Sequence, residues 1–129
     1  MPAVLDACAM IAYLRGEPGA EVVKRHMEAP NCFAHGLNLC EVAYKFALAA
    51  DDQTAEEALL DLGRVGVRPR EDLDPEIRRS ACRFKVRHSH LSLADCFALA
   101  LAQRLEAALV TSDREFRRAG REVEVVIIR

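Results

Sequence analysis

Ala3-Val4-Leu5-Asp6-Ala7-Cys8-Ala9-Met10-Ile11-Ala12-Tyr13-Leu14 is a strand signal running directly into a helix signal. Residues 3–6 read as a short buried strand, and residues 8–14 as a helix that ends near Gly16. The same alternation continues along the chain. Helix patterns cover residues 18–28, 37–50, 54–63, 75–88 and 92–105, with Pro18 suited to a first turn and Asp74 to an N-cap before Pro75. In residues 37–50, Leu37, Cys40, Tyr44 and Leu48 recur at helical spacing. Strand patterns fall at residues 32–35, 109–111 and 123–128, and at 65–68, where Pro69 is expected to stop the strand. Residues 113–119 read as a helical turn, and 92–105 as the central buried helix. Alternation of this kind places the chain in the α/β class, with a mostly parallel sheet and helices on both faces.

The 129 residues, 51% of them hydrophobic, supply one ordinary core, expected as a single domain over residues 1–129. Aromatics make up 5% with no Trp, so Leu, Val, Ile and Ala must fill that core. A net charge of −2 gives no global field that attracts nucleic acid, so such a partner needs a local basic patch. The five cysteines, at 8, 32, 40, 82 and 96, are odd in number and lack C-x-x-C spacing. Cys8, Cys40 and Cys96 sit among apolar neighbours and read as packing residues of a reducing compartment. No stretch resembles a signal peptide or a membrane span, and a cytoplasmic protein is expected.

Four acids fall beside strand ends or helix starts: Asp6 after Ala3-Val4-Leu5, Glu41 in Asn38-Leu39-Cys40-Glu41, Asp95 in Leu93-Ala94-Asp95-Cys96, and Asp113 after Leu109-Val110-Thr111-Ser112. In open α/β sheets ligands bind at the carboxyl ends of strands. Asp6 and Asp113 are expected to project from such ends, and Glu41 and Asp95 from early turns of adjacent helices. Two carboxylates about 4 Å apart repel by roughly 4 kcal/mol at an effective dielectric near 20. A cluster of them therefore favours a cation and, without one, is expected to raise at least one pKa. An oxygen-only ligand set suits Mg²⁺ or Mn²⁺ rather than zinc. The matching chemistry is phosphodiester cleavage by a metal-activated water, with Thr111 and Ser112 as supporting hydroxyls beside Asp113.

Each acid also has an ordinary explanation. Ser92-x-x-Asp95, Asn38-x-x-Glu41 and Ser112-x-x-Glu115 all match the capping box, and Asp6 and Asp113 suit turns after strands. A cap contributes only ~0.5–2 kcal/mol. Four acids at matched places in one alternating chain point beyond caps, toward a site.

The four segments, taken with Val4-Leu5-Asp6-Ala7-Cys8 and Leu109-Val110-Thr111-Ser112-Asp113-Arg114-Glu115-Phe116, resemble the PIN-domain ribonucleases and most closely the VapC-type toxins of toxin–antitoxin pairs. The order and spacing of the resemblance run the full chain. It implies a three-layer α/β/α fold and an Mg²⁺ or Mn²⁺ pocket for RNA cleavage. The family's metal-binding and catalytic acids fall on Asp6, Glu41, Asp95 and Asp113. It also implies a homodimer and a small inhibitory antitoxin. Many relatives carry a small hydroxyl residue two positions after the first acid; this chain has Cys8, a poorer donor.

Arg78, Arg79, Arg83, Lys85 and Arg87 form a basic stretch ahead of the Asp95 helix, and Arg114, Arg117, Arg118 and Arg121 a second near Asp113. Arg83, Lys85, Arg87 and Arg114 are the candidates for holding RNA phosphates, against the plainer reading of a solvated helix face. His88-x-His90 is a weak metal pattern, and His35 reads as structural. The expected function is an Mg²⁺- or Mn²⁺-dependent endoribonuclease, with a non-catalytic PIN-like interaction module as the alternative. A phosphoacceptor receiver domain ranks low, because residues 123–129 supply no late lysine.

Overall fold

The computed structural model describes residues 1–129. Its strands are β1 (Ala3–Leu5), β2 (Cys32–His35), β3 (Arg68–Arg70), β4 (Ala108–Thr111) and β5 (Val125–Ile127). Its helices are α1 (Ala7–Arg15), α2 (Ala20–Glu28), α3 (Gly36–Ala49), α4 (Asp52–Arg64), α5 (Pro75–Arg87) and α6 (Leu93–Leu105), with a 3₁₀ turn at Arg114–Ala119. The sheet order is β3-β2-β1-β4-β5, and every pairing is parallel.

Strand side chains alternate between two cores, which is what makes three layers. Val4 and Leu109 point to one face, where they meet α5, α6 and Phe116 of the 3₁₀ turn. Ala3, Leu5 and Val110 point to the other, against α1, α2 and Met10, Val23, Val42 and Leu62 of the helices there. Helix α6 is buried without a break from Cys96 to Ala102, because it lies between the sheet and α5. Its alanines let the backbones approach closely, so a core with few aromatics still packs.

Two expectations about this framework need correcting. The third strand is not stopped by Pro69 but contains it, with Pro69 opposite Ala34. β3 is an edge strand, where a residue without an N–H removes no ladder bond if it faces outward. Residues 65–67 are instead the exit from α4. Gly66 there has φ 111°, and a Cβ would stand 2.7 Å from the Met27 carbonyl oxygen.

The second correction concerns α3. The helix forms, but the Leu37, Cys40, Tyr44 and Leu48 stripe faces solvent, with Tyr44 59% and Leu48 72% exposed. Cys40 is therefore not a packing residue; Cys32 and Cys96 are buried, and Cys8 is half-buried. Asn38 and Val42 face the core instead. The helical spacing stands and the reading of Cys40 as a packing residue fails, since spacing identifies a stripe without saying what covers it.

A salt-bridge network invisible in the sequence anchors the segment between β3 and α5. Arg104 of α6 bonds Asp72 and Asp74, and Arg70 makes two bonds to Asp72. Asp74 also caps α5 as expected, accepting from the Ile77 N–H, with Pro75 in the first turn.

Candidate active site

Asp6 follows β1 at its carboxyl end and is 1% exposed. One carboxylate oxygen accepts the Ala9 N–H at 2.8 Å, making Asp6 the N-cap of α1. The other accepts the Thr111 hydroxyl. Thr111 ends the neighbouring strand β4, is fully buried, and also accepts the Asp113 N–H at 2.9 Å. The hydroxyl's single proton is thus committed to Asp6. The hydroxyl thereby ties Asp6 to Asp113. Ser112, beside it, is half-buried.

The capping expectations resolve one by one. Ser92 and Asp95 form the expected box, the Ser92 hydroxyl accepting the Asp95 N–H and the Asp95 carboxylate accepting the Ser92 N–H. Asn38 and Glu41 do not, because the α3 cap is His35, whose Nδ1 accepts the Leu37 N–H. His35 Nε2 donates to the Asp72 carbonyl, so the ring is structural, as read. Ser112 and Glu115 form no box either; Asp113 caps the 3₁₀ turn by accepting the Glu115 N–H. Three of the four acids therefore serve as caps or box members. A cap uses one of the roughly four lone-pair sites on a carboxylate, so the service does not exclude a ligand role.

The acids share one neighbourhood. Burial pushes the Asp6 carboxyl up to about 7, and the charges of Asp95 and Asp113 add to that rise against the hydrogen bonds from Thr111 and Ala9. Cys8, the second residue of α1, is pushed up to about 12 by burial and then by Asp6, Asp113, Glu41 and Asp95 together. A single thiol thus feels all four carboxylates. Their side chains stop short of a ligand sphere: no three His, Cys, Asp or Glu groups converge on one point where they hold an ion jointly. Asp6, Asp95 and Asp113 each accept a backbone N–H of their own segment.

The donor chemistry still fits a hard divalent cation. The four acids offer oxygen only, the thiol among them is held protonated, and the Asp6 carboxyl, raised first by burial and then by the Asp95 and Asp113 charges, is a group whose ionised form a cation would favour. Asp6 and Asp95 would be ligands from the fixed ends of β1 and α6, Glu41 from α3 and Asp113 from the loop after β4.

The basic candidates separate. Arg83 and Arg114 are exposed. Lys85 is turned inward, its ammonium donating to the Ser89 and Leu91 carbonyls, and Arg87 pairs with Glu122 at 3.1 Å. His88 and His90 do not act as a metal pair. Their ring centres are 6.2 Å apart, and each faces a different carboxylate, Glu122 for His88 and Glu115 for His90.

A parallel α/β/α sandwich with Asp6 and Asp113 following its central strands and Glu41 and Asp95 in early turns of α3 and α6 defines a class of fold. The chain belongs to the PIN-domain family, whose profile matches residues 3–122. Among solved structures it is similar to DNA-bound VapBC from Salmonella typhimurium, at 12% identity and a TM-score of 0.75, covering 100% of this chain and 99% of that one. It is similar to VapBC2 from Rickettsia felis bound to a promoter DNA fragment, at 14% identity and a TM-score of 0.74, covering 97% and 98% of the two chains. It is also similar to VapC20 from Mycobacterium tuberculosis, described as a sarcin–ricin loop cleaving toxin, at 18% identity and a TM-score of 0.72, covering 92% and 95%. At these identities the likeness is one of fold. No curated protein matches the chain significantly in sequence.

Proposed function

We propose that this PIN-domain protein is an Mg²⁺- or Mn²⁺-dependent endoribonuclease of the VapC type, acting in the cytoplasm as the toxin of a toxin–antitoxin pair. What supports this reading is the PIN-family match over residues 3–122 together with the buried Asp6 carboxyl at the end of β1, tied to Asp113 through Thr111. A bound divalent cation would supply Lewis acidity toward a phosphodiester. The chain's part is to hold Asp6, Glu41, Asp95 and Asp113 as its ligands and to keep Asp6 and Asp113 fixed through Thr111. Arg83 and Arg114, both free on the surface, are better placed than Lys85 or Arg87 to hold RNA phosphates.

Partner binding has its own support. The exposed apolar stripe of α3, Leu37, Cys40, Tyr44 and Leu48, supplies the kind of surface that protein partners cover. An antitoxin and a second copy of this chain are the proposed partners. Complexes of toxin with antitoxin from Klebsiella pneumoniae and Haemophilus influenzae share the fold at 19% identity. No helix is long and apolar enough to cross a membrane.

RNA cleavage by wild type and Asp95→Asn, with and without Mn²⁺, separates the enzyme from the non-catalytic module. Asparagine keeps an oxygen that can accept the Ser92 N–H, so the cap survives. Cleavage should fall by at least about a hundredfold, beyond the ~10–100-fold typical of losing a partner that only supports a ligand, with the melting temperature nearly unchanged. Equal cleavage by both proteins favours the module.

Metal should also report on Asp6 directly. Millimolar Mn²⁺ is expected to raise the melting temperature, and a chelator to reverse it, because the ion binds only the folded pocket. Below pH 7 the ion must displace the Asp6 proton, so the Mn²⁺ concentration giving half the shift should rise by about tenfold per pH unit and level off above pH 7. A titration midpoint that ignores pH between 5 and 8 counts against Asp6 as a ligand.

A further inference from the structure

Asn38 carries the one buried carboxamide of the chain, and it is fully buried. Its Oδ1 accepts the Ala7 N–H at 3.2 Å, and its Nδ2 donates to the Ala94 carbonyl at 3.2 Å. The partners fix the orientation of the amide, since an N–H only donates and a carbonyl only accepts. Ala7 is the residue after Asp6, Ala94 the residue before Asp95, and Asn38 itself stands three positions before Glu41 on α3. One side chain therefore joins the three segments that carry three of the four acids. Thr111 does the same for Asp6 and the fourth, Asp113.

Local satisfaction accounts for only part of this brace. The Ala94 carbonyl lies in the first turn of α6, where carbonyls already accept within the helix. The Ala7 N–H is one of the unpaired groups at the start of α1; the Asp6 cap accepts the Ala9 N–H instead, so Asn38 also satisfies a buried donor there. What the two bonds add is a fixed distance between the N-terminal turns of α1 and α6, measured from α3. A buried amide sharing no bond with solvent holds such a distance more tightly than apolar packing, because any shift leaves a polar atom unpaired.

We propose that Asn38 is a positioning residue that sets the spacing of Asp6, Glu41 and Asp95; the proposal rests on the reading of those acids as a divalent-cation site. Asn38 does not touch the ion or the substrate. It acts through the helix ends on either side, as partners behind metal ligands do, and their loss typically weakens metal affinity by ~10–100-fold.

The test compares wild type, Asn38→Leu and Asn38→Ser with Val23→Ala, a core change in α2 far from the acids in sequence. Free Mn²⁺ is followed by electron paramagnetic resonance, and RNA cleavage is resolved into kcat and KM. Both Asn38 variants should bind Mn²⁺ about 10–100-fold more weakly and lose kcat with little change in KM for RNA. Val23→Ala should lose melting temperature and keep wild-type Mn²⁺ affinity. If Asn38→Leu does not fold, Asn38→Ser, smaller than the native side chain, carries the comparison. Wild-type Mn²⁺ affinity in a folded Asn38 variant overturns the positioning role while leaving the cation site standing. An equal loss of affinity in Val23→Ala overturns it too, by showing a general stability effect. A wild-type protein that binds no Mn²⁺ overturns the cation site itself, and the inference with it.

Discussion

Asp6→Asn should erase both the Mn²⁺-induced rise in melting temperature and RNA cleavage, while the metal-free variant melts higher than wild type at pH 8. The two effects have one cause. Burial and the neighbouring charges of Asp95 and Asp113 hold the folded carboxyl near 7, above the ordinary value of 3.8. Below pH 3.8 the carboxyl is protonated in both folded and unfolded chains, and it has no effect on the balance. Between 3.8 and about 7 the unfolded chain gives up its proton and the folded chain keeps it, so stability falls as pH rises. Above pH 7 the penalty is complete, on the order of 4 kcal/mol. Asparagine is neutral throughout and caps a helix about as well as aspartate. It also offers an amide to the Thr111 oxygen where the carboxylate accepted the Thr111 proton. The variant's advantage should therefore be greatest at pH 8 and vanish near pH 4, as seen in paired thermal melts. A variant less stable than wild type at pH 8 would show that the carboxylate is a structural asset. Such an exchange of stability for a charged cluster is what a working site requires.

Phe116→Ala is expected to destabilise the fold by about 3–5 kcal/mol, the usual range for truncating a buried phenylalanine. Phe116 is fully buried and belongs to the core on the α5–α6 face. It is also the anchor of the 3₁₀ turn that Asp113 caps. The loss is a large part of the 5–15 kcal/mol typical of a whole domain. It should appear as a lower denaturant midpoint with an unchanged slope. Because the turn leads directly from Asp113, residual folded protein should also respond less to Mn²⁺. A near-neutral result would mean that the turn packs independently of the core.

The layered architecture was legible because its signals are local. Apolar strands of three or four residues, each leading into a helix pattern, specify a parallel sheet almost without alternatives. Helix starts were legible where the cap lies next to its helix, as at Asp74 and Ser92. They misled where a cap and its imitation lie close together. Asn38-x-x-Glu41 satisfies the spacing of a capping box, yet His35 does the capping and Asn38 turns inward. Pro69 misled for a related reason. Proline forbids a central strand and permits an edge, and only the strand order shows that β3 is an edge.

The four acids were legible one at a time, as residues beside strand ends and helix starts. That the charge of each reaches Cys8, that Thr111 bonds Asp6, and that Asn38 bonds the neighbours of Asp6 and Asp95, was not. Nor was the commitment of Lys85 and Arg87, which read as free cations in the sequence. The sequence by itself determined the alternation, the apolar helix of residues 92–105 and the identity of the carboxylates, since each depends on neighbours along the chain. The tertiary structure alone decided which face of α3 is covered, which cations remain free and how close the acids come. Those properties depend on contacts between Asp6 and Thr111 or Asn38 and Ala94, residues 105 and 56 positions apart, whose meeting no local pattern encodes.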